Sequence, residues 1–384
     1  MDILIPIRRL TPILLRAPSD VPVAAAFGTM THRTALLVRI EDRDGAVGWG
    51  EVYANFPVGA GEHRARLLRD MFAPLVAQEP CAPAELFAKL ERASRILALQ
   101  SGELGPLAQC VAGIDIALWD LAARRLDRPL WQCLRGSEPT GGGAAPVLPV
   151  YASGINPDAP ERLARAAHEA GHRAFKLKLG FGRDRDLRNV AAIRGEIARL
   201  PLMVDANQAW DLDESLRMAD ALARFEPDWL EEPMPADTPA PSWRRLADRS
   251  AVPIAAGENL RSRAAYDEAI SERLFAVLQP DPIKWGGFTG SLPVIRRAVA
   301  AGIRFCPHYL GGGIGFMAAA HLLAAVEPPD GLLEYDTNRN PLREDLAEGF
   351  PRVTDGRIVL PEAPGLGVEP DLRGMAGYIV GPSG

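Results

Sequence analysis

The residues of this chain best suited to chemistry are acids that end apolar runs at a fixed interval. Asp205 closes Leu202-Met203-Val204-Asp205, Glu231 closes Trp229-Leu230-Glu231, and Glu258 closes Ile254-Ala255-Ala256-Gly257-Glu258. Glu231 follows Asp205 by 26 residues and Glu258 follows Glu231 by 27. One such acid reads equally well as the N-cap of a following helix; three at one spacing are better explained as a shared oxygen site. Three hard carboxylates with no His or Cys among them suit Mg²⁺, leaving positions for water and substrate oxygens. Asn207 and Glu232, beside two of them, are candidates for orienting a ligand rather than touching the metal.

Basic groups fall in register with these acids. Lys176 and Lys178 lie two apart in Phe175-Lys176-Leu177-Lys178-Leu179, so they share one face of a strand. In a partly desolvated site their mutual repulsion is expected to lower the pKa of either amine and supply a base; on an exposed edge strand they would simply be solvated. Asp281 and His308 end two later runs, 27 residues apart. An Asp–His hydrogen bond between neighbouring strand tips would fix the imidazole tautomer and raise its basicity. Glu334 ends the last run; with apolar neighbours it would be protonated and able to donate to a developing oxyanion, and otherwise it reads as a cap or surface acid. His321, Asp115 and Asp120 lie inside helical stretches and read as structural hydrogen-bonding groups.

The elements that must carry these residues follow from periodicity. Eight short apolar runs, 148–152, 174–179, 202–205, 229–231, 254–258, 277–281, 303–308 and 332–334, alternate with helical stretches such as 159–170, 184–199, 212–225 and 292–301. Eight βα units close a parallel barrel whose strand ends form the site. Before it, residues 1 to about 60 read as strands and turns, with a hairpin over 35–51 and two loops without period, 22–33 and 52–63, as lid candidates. Residues 63–134 turn helical, and the Gly-rich run 136–145 reads as a loop into the barrel. After Glu344, residues 357–360 are expected to return and pair with the first domain.

Composition bounds the partners. Forty-three Lys and Arg against forty-nine Asp and Glu give a net charge of −6 without a basic stripe, which excludes nucleic acid as the expected partner. No unbroken apolar run reaches the roughly 18 residues a membrane helix needs. The apolar N-terminal residues 3–7 are interrupted by Arg8 and Arg9, so no signal peptide is read. Four scattered cysteines form no CxxC pair, and a reducing, cytoplasmic location is expected.

Taken together, Lys176-x-Lys178, Asp205-x-Asn207, Glu231-Glu232-Pro233, Gly257-Glu258-Asn259, Asp281 with Lys284-x-Gly286-Gly287, His308 and Glu334 resemble the enolase superfamily, and within it the mandelate racemase-like group. The helix Ile114-Asp115-Ile116-Ala117-Leu118-Trp119-Asp120-Leu121 resembles the end of that family's capping domain. The resemblance implies an α/β fold: a modified TIM barrel, (β/α)7β, at 131–351, under an α+β capping domain at 1–130 that a C-terminal segment of about 352–384 completes. It implies Mg²⁺ on Asp205, Glu231 and Glu258. It further implies Lys178 as one base with Lys176 beside it, His308 with Asp281 as the second, and Glu334 as the acid facing the enolate oxygen.

The muconate-lactonizing branch carries lysine where this chain has Asp281, so the racemase-like branch is preferred. The expected reaction is removal of the proton α to a carboxylate, with dehydration of a sugar acid ahead of racemisation or epimerisation of a 2-hydroxy acid or amino-acid derivative. A catalytically silent carboxylate-binding protein is the reading from another class. Thr31, His32, Arg33, Asn55, Asn338 and Arg339 are the candidates for binding substrate hydroxyls. A homo-oligomer is expected by the same resemblance, and Gly311-Gly312-Gly313 is tied to no substrate.

Overall fold

The computed structural model describes residues 3–77, 79–136 and 144–381; the expected Gly-rich loop lies largely outside them. The first domain begins with an antiparallel sheet of β1 (Ile7–Ala25), β2 (Gly28–Asp42) and β3 (Val47–Val52). Helices follow: α1 (Ala60–Arg66), a π-turn over Leu67–Phe72, α2 (Ala73–Val76), α3 (Pro83–Ser101), α4 (Leu104–Arg125) and α5 (Leu130–Arg135). Helix α4 is apolar around nearly its whole circumference because it is the core element, packed between sheet and barrel. By length and composition it passes for a membrane span, but 83% of its most apolar window is buried. Glycines on β3 permit the approach: a Cβ on Gly50 would stand 2.0 Å from the Gly113 carbonyl oxygen.

The barrel runs β4 (Val147–Ile155), α6 (Pro160–Glu169), β5 (Phe175–Lys178), α7 (Arg183–Ile197), β6 (Leu202–Asp205), α8 (Leu212–Ala223), β7 (Leu230–Glu231) and α9 (Ala240–Arg249). It continues with β8 (Ile254–Ala256), α10 (Arg263–Ser271), β9 (Val277–Leu278), α11 (Gly287–Ala300), β10 (Arg304–Phe305), α12 (Gly313–Val326) and β11 (Leu333–Asp336). Among the described residues, seven helices separate eight parallel strands, the (β/α)7β pattern. The eighth strand, β11, pairs with the first, β4, which curls the sheet into a barrel. After it come the short α13 (Pro341–Glu344) and β12 (Arg357–Val359).

Two expectations are corrected here. Residues 22–33 are not an irregular loop but the tip of the β1–β2 hairpin, paired Val23 with Met30 and Ala24 with Thr29 around a two-residue turn. A register irregularity between Pro18 and Val23 hides the alternation that would have marked it. Strand β12 does not pair with the first domain; it lies antiparallel to the start of β4, where the barrel offers an unpaired edge. The chain rejoins the first domain only beyond it. There the Gly365 carbonyl accepts from Leu130, Asp120 accepts from the amides of Trp49 and Leu366, and Val380 donates to Leu14.

The two domains are locked by acids reaching across. Asp115 on α4 accepts the amides of Phe288 and Thr289 at 2.7 and 2.9 Å, and so caps the first turn of α11. Glu51 on β3 accepts the amides of Gly312 and Gly315 at 2.5 and 2.7 Å, capping α12. The glycine run after His308 thereby finds its reason: a Cβ on Gly311 would stand 2.7 Å from Glu51 Oε1.

Candidate active site

Side chains alternate in and out along a strand, so one choice of register arranges the whole barrel interior. Tyr151, Met203, Trp229, Ala255, Val277 and Cys306 pack together as an apolar floor. Two residues further along their strands, toward the C-terminal ends, the same faces present Ser153, Asp205, Glu231, Gln279 and His308. Strand pairing sets Lys178 opposite Asp205 and Asp205 opposite Glu231. The 26-residue interval thus records one strand-helix unit returning to the same height, whereas Glu231 faces Ala255 and Glu258 lies three residues beyond it, past the end of β8. At the tips of β6 and β7 the backbone is strained: Asn207, Gln208 and Glu232 have φ of 45°, 64° and 38°, in the left-handed region.

The charges form one buried network. Lys176 Nζ donates to Glu231 Oε1 at 2.5 Å, sits 2.9 Å from Glu334 Oε1, and is 3.8 Å from Asp205 Oδ2. Lys178 Nζ donates to Asp205 Oδ2 at 2.6 Å. His308 Nδ1–H donates to Asp281 Oδ2 at 2.8 Å, which turns Nε2 toward Glu258 Oε2 at 2.6 Å and Glu334 Oε2 at 4.0 Å. Asn259 Nδ2 bridges both oxygens of Glu232 to Glu258.

This network overturns two electrostatic expectations. The lysine pair does not depress its own pKa values: burial lowers both, but carboxylates outweigh it, Glu231 and Glu334 for Lys176 and Asp205 for Lys178, and both ammonium groups are held above their ordinary range. Glu334 is not flanked by apolar groups. Burial raises it, yet Lys176 and His308 hold it below the usual carboxylate value, and it accepts the Tyr309 amide at 3.1 Å. It is an ionised anchor for Lys176 in this arrangement.

Lys284, which the sequence marks only as part of a motif, and two residues that spacing did not single out complete the site. Lys284, three positions after Asp281, is buried 3.2 Å from Glu258 Oε2 and 2.8 Å from Asn259 Oδ1, with Tyr53 of the cap beneath it. Trp229 Nε1 and Gln279 Nε2 both donate to Glu231 Oε2, at 3.0 and 2.8 Å. Their alternation with Glu231 and Asp281 was the available signal. Asp120 and His321 are structural, as expected: His321 Nδ1 accepts the Trp131 amide and Nε2 donates to the Leu366 carbonyl.

The donor set suits a divalent cation, although among the described residues no three acids or histidines close on a single point. Asp205, Glu231 and Glu258 are drawn apart onto Lys178, Lys176 and His308. Six carboxylates (Asp205, Glu231, Glu232, Glu258, Asp281 and Glu334) face three lysines and one imidazole, an excess of buried negative charge. Burial pushes Glu231 up to about 7, and burial with Glu258 pushes Glu232 well up. Beside Asp205, Asn207 Oδ1 is a buried acceptor with no donor. Hard oxygens in excess of positive charge are what Mg²⁺ requires.

A cavity of about 630 Å³ opens over these groups, a usual size for a small-molecule site. Lys178, Glu258, Lys284, His308 and Glu334 line its floor, and the cap closes it with the hairpin tip (Val23, Phe27, Met30) and with Tyr53 and Phe56 from the 52–63 segment. The residues expected to bind hydroxyls do not reach it. Arg33 is tied to Asp336 at 2.5 Å, Asn55 donates to the Leu310 carbonyl and Asn338 to the Gly154 carbonyl, while Thr31 and His32 are exposed and hydrogen-bond each other. Arg339 is 55% exposed and pairs with Glu344 and Asp345, because the chain turns outward after β11.

Comparison with known proteins agrees with this architecture. Residues 159–374 match the family of enolase C-terminal domain-like proteins, and residues 10–135 match the mandelate racemase / muconate lactonizing enzyme N-terminal domain. The chain is 31% identical over 373 residues to the D-galactarolactone cycloisomerase of Agrobacterium fabrum, covering 93% of this chain and 94% of that protein. A solved mandelate racemase/muconate lactonizing enzyme from Bordetella bronchiseptica RB50 is 48% identical, with a TM-score of 0.90 over 98% of this chain and 100% of that one. A mutant L-talarate/galactarate dehydratase, solved with Mg and L-glucarate, has a TM-score of 0.82 at 26% identity, over 97% and 92% of the two chains.

Proposed function

Because the chain belongs to the mandelate racemase / muconate lactonizing enzyme family of the enolase superfamily, we propose that it removes the proton α to the carboxylate of a sugar acid and expels the β-oxygen, giving a 2-keto acid. The observation that supports this reading is that two groups able to carry protons, Lys178 and His308, line one cavity. Lys178 stands at the end of β5, and His308, held by Asp281 from β9, stands beyond β10, three strands away in one direction and five in the other.

Asp205, Glu231 and Glu258 would hold Mg²⁺, which when bound neutralises the substrate carboxylate and so makes the α-proton more acidic. Lys178 lines the cavity and would take the α-proton once its ammonium group has given up its own proton, which requires Asp205 to turn from it onto the cation. Lys176 places positive charge near the developing oxyanion, and Glu231 and Glu334 fix its ammonium group in position. Asp281 holds the His308 ring through Nδ1–H, so that Nε2, set beside Glu258 at the cavity, carries the proton that it would deliver to the departing oxygen. The apolar hairpin tip excludes water from the resulting enol.

When the β-oxygen leaves as water the reaction is a dehydration. When it belongs to a ring, the same step opens the ring without loss of atoms, and the resemblance to a lactone cycloisomerase supports this second form. Purified enzyme with Mg²⁺, offered a panel of aldonic acids, aldaric acids and their lactones, is expected to form a 2-keto acid from at least one. Exchange of the α-proton for deuterium with no keto acid formed would assign a racemase or epimerase instead.

A further inference from the structure

Among the described residues three arginines, Arg33, Arg64 and Arg343, are almost fully buried, and two are neutralised internally: Arg33 by Asp336 and Arg343 by Glu344. Arg64 is not. It projects from α1 into the cavity and is only 4% exposed. Its Nε donates to Gln109 Oε1 at 2.5 Å and its Nη1 to the Ala60 carbonyl at 3.1 Å. Among the described residues it has no carboxylate partner, and its Nη2 has no hydrogen-bond partner. A buried guanidinium without a counter-charge is costly, so it calls for an anion from outside the chain.

Arg261, three residues past Glu258, lines the same cavity and is likewise without an acid; its Nη2 is 3.4 Å from Asn259 Oδ1. Gly105 at the start of α4 leaves room for it, since a Cβ there would stand 2.6 Å from Arg261 Nη1. Burial acts against the charge of Arg64 and repulsion from Arg261 adds to the effect, which the nearby Cys110, Tyr53 and Glu103 only partly offset. Two planar guanidiniums with free donors are matched to a carboxylate.

On the reading that the cavity takes a sugar acid, the geometry points to a second anion subsite on its cap side, so that the substrate is a dicarboxylate held at its far end by Arg64 and Arg261. The reacting carboxylate lies over Lys178, His308 and Glu258, while the distal one neutralises the pair of guanidiniums. Gln109 holds Arg64 in place as a positioning residue.

The test is binding to the Mg²⁺-loaded enzyme of matched pairs that differ only at the terminal carbon, galactarate against galactonate and glucarate against gluconate, with 6-phosphogluconate as a terminal phosphate. At least one aldarate is expected to bind 10- to 100-fold more tightly than its aldonate, the range of a hydrogen bond to a charged group. Arg64→Gln and the exposed Arg261→Gln should each cut that preference about tenfold, and Arg64→Lys should restore part of it. Thermal melts confirm that each variant is folded; should Arg64→Gln fail to fold, Arg261→Gln carries the test. Equal binding within every pair, an unchanged preference in the folded variants, or tighter binding of 6-phosphogluconate than of glucarate overturns the inference. Arginine-dependent aldarate binding with no α-proton exchange on any acid would instead leave the subsite standing and remove the proposed reaction.

Discussion

In the proposed reaction His308 acts through its neighbour as much as through its own ring. With Nδ1–H held by Asp281 at 2.8 Å, Nε2 is turned toward Glu258, which also lines the cavity. Replacing Asp281 by Asn loosens the ring and weakens its hold on the proton while leaving the shape, and we expect kcat to fall about 100-fold with a much smaller change in KM, measured by steady-state kinetics of keto-acid formation. His308→Asn removes the proton donor itself and should abolish keto-acid formation while Lys178 still exchanges the α-proton. Retention of keto-acid formation in His308→Asn would take the residue out of the mechanism. Both residues were legible in the sequence from their 27-residue interval. The ionised state of Glu334 was not, because it depends on Lys176 and the Tyr309 amide, which neither strand period nor composition brings together.

At the scale of elements, the cap is seated by carboxylates set into helix N-termini. Burial pushes both Glu51 and Asp115 up to about 7 despite the amides they accept. For an acid whose folded pKa is raised, the favourable contribution is complete below the unfolded value near 4 and is lost as pH rises through about 7. Glu51→Gln, which cannot ionise, should therefore melt progressively closer to the wild type as pH rises from 5 to 8, after an initial deficit of about 1–2 kcal/mol from the weakened cap. Thermal denaturation across that range checks it. His321 works with the opposite sign. Buried and neutral between Trp131 and Leu366, it is lowered to about 4, so its contribution is present above pH 6.5 and is lost as pH falls toward 4. His321→Gln should flatten the acid limb of the stability curve relative to wild type, by at most ~3 kcal/mol at pH 4.

At the scale of the whole molecule, the barrel was legible because eight short apolar runs recur at a similar spacing and most of them end in a polar residue. The cap was less legible. Its hairpin tip pairs through an irregular register, and its decisive contacts, such as Glu51 with Gly312 and Asp115 with Phe288, join residues more than 170 positions apart. Arg64 belongs to the same class: nothing in α1 marks it until the fold buries it without an acid. Sequence reasoning found the side chains that repeat with the strands and missed those the cap brings in. The cap residues are the ones placed to decide which acid is accepted.

The central claim is metal-dependent proton abstraction next to a carboxylate, and α-proton exchange in D2O followed by NMR tests it most directly. With Mg²⁺ present, at least one sugar acid is expected to lose its α-proton signal. Chelation should abolish the exchange, and Glu258→Gln should reduce it by at least 100-fold. Exchange that persists at full rate in chelator, or its absence with every acid while Mg²⁺ still raises the melting temperature, would contradict the account.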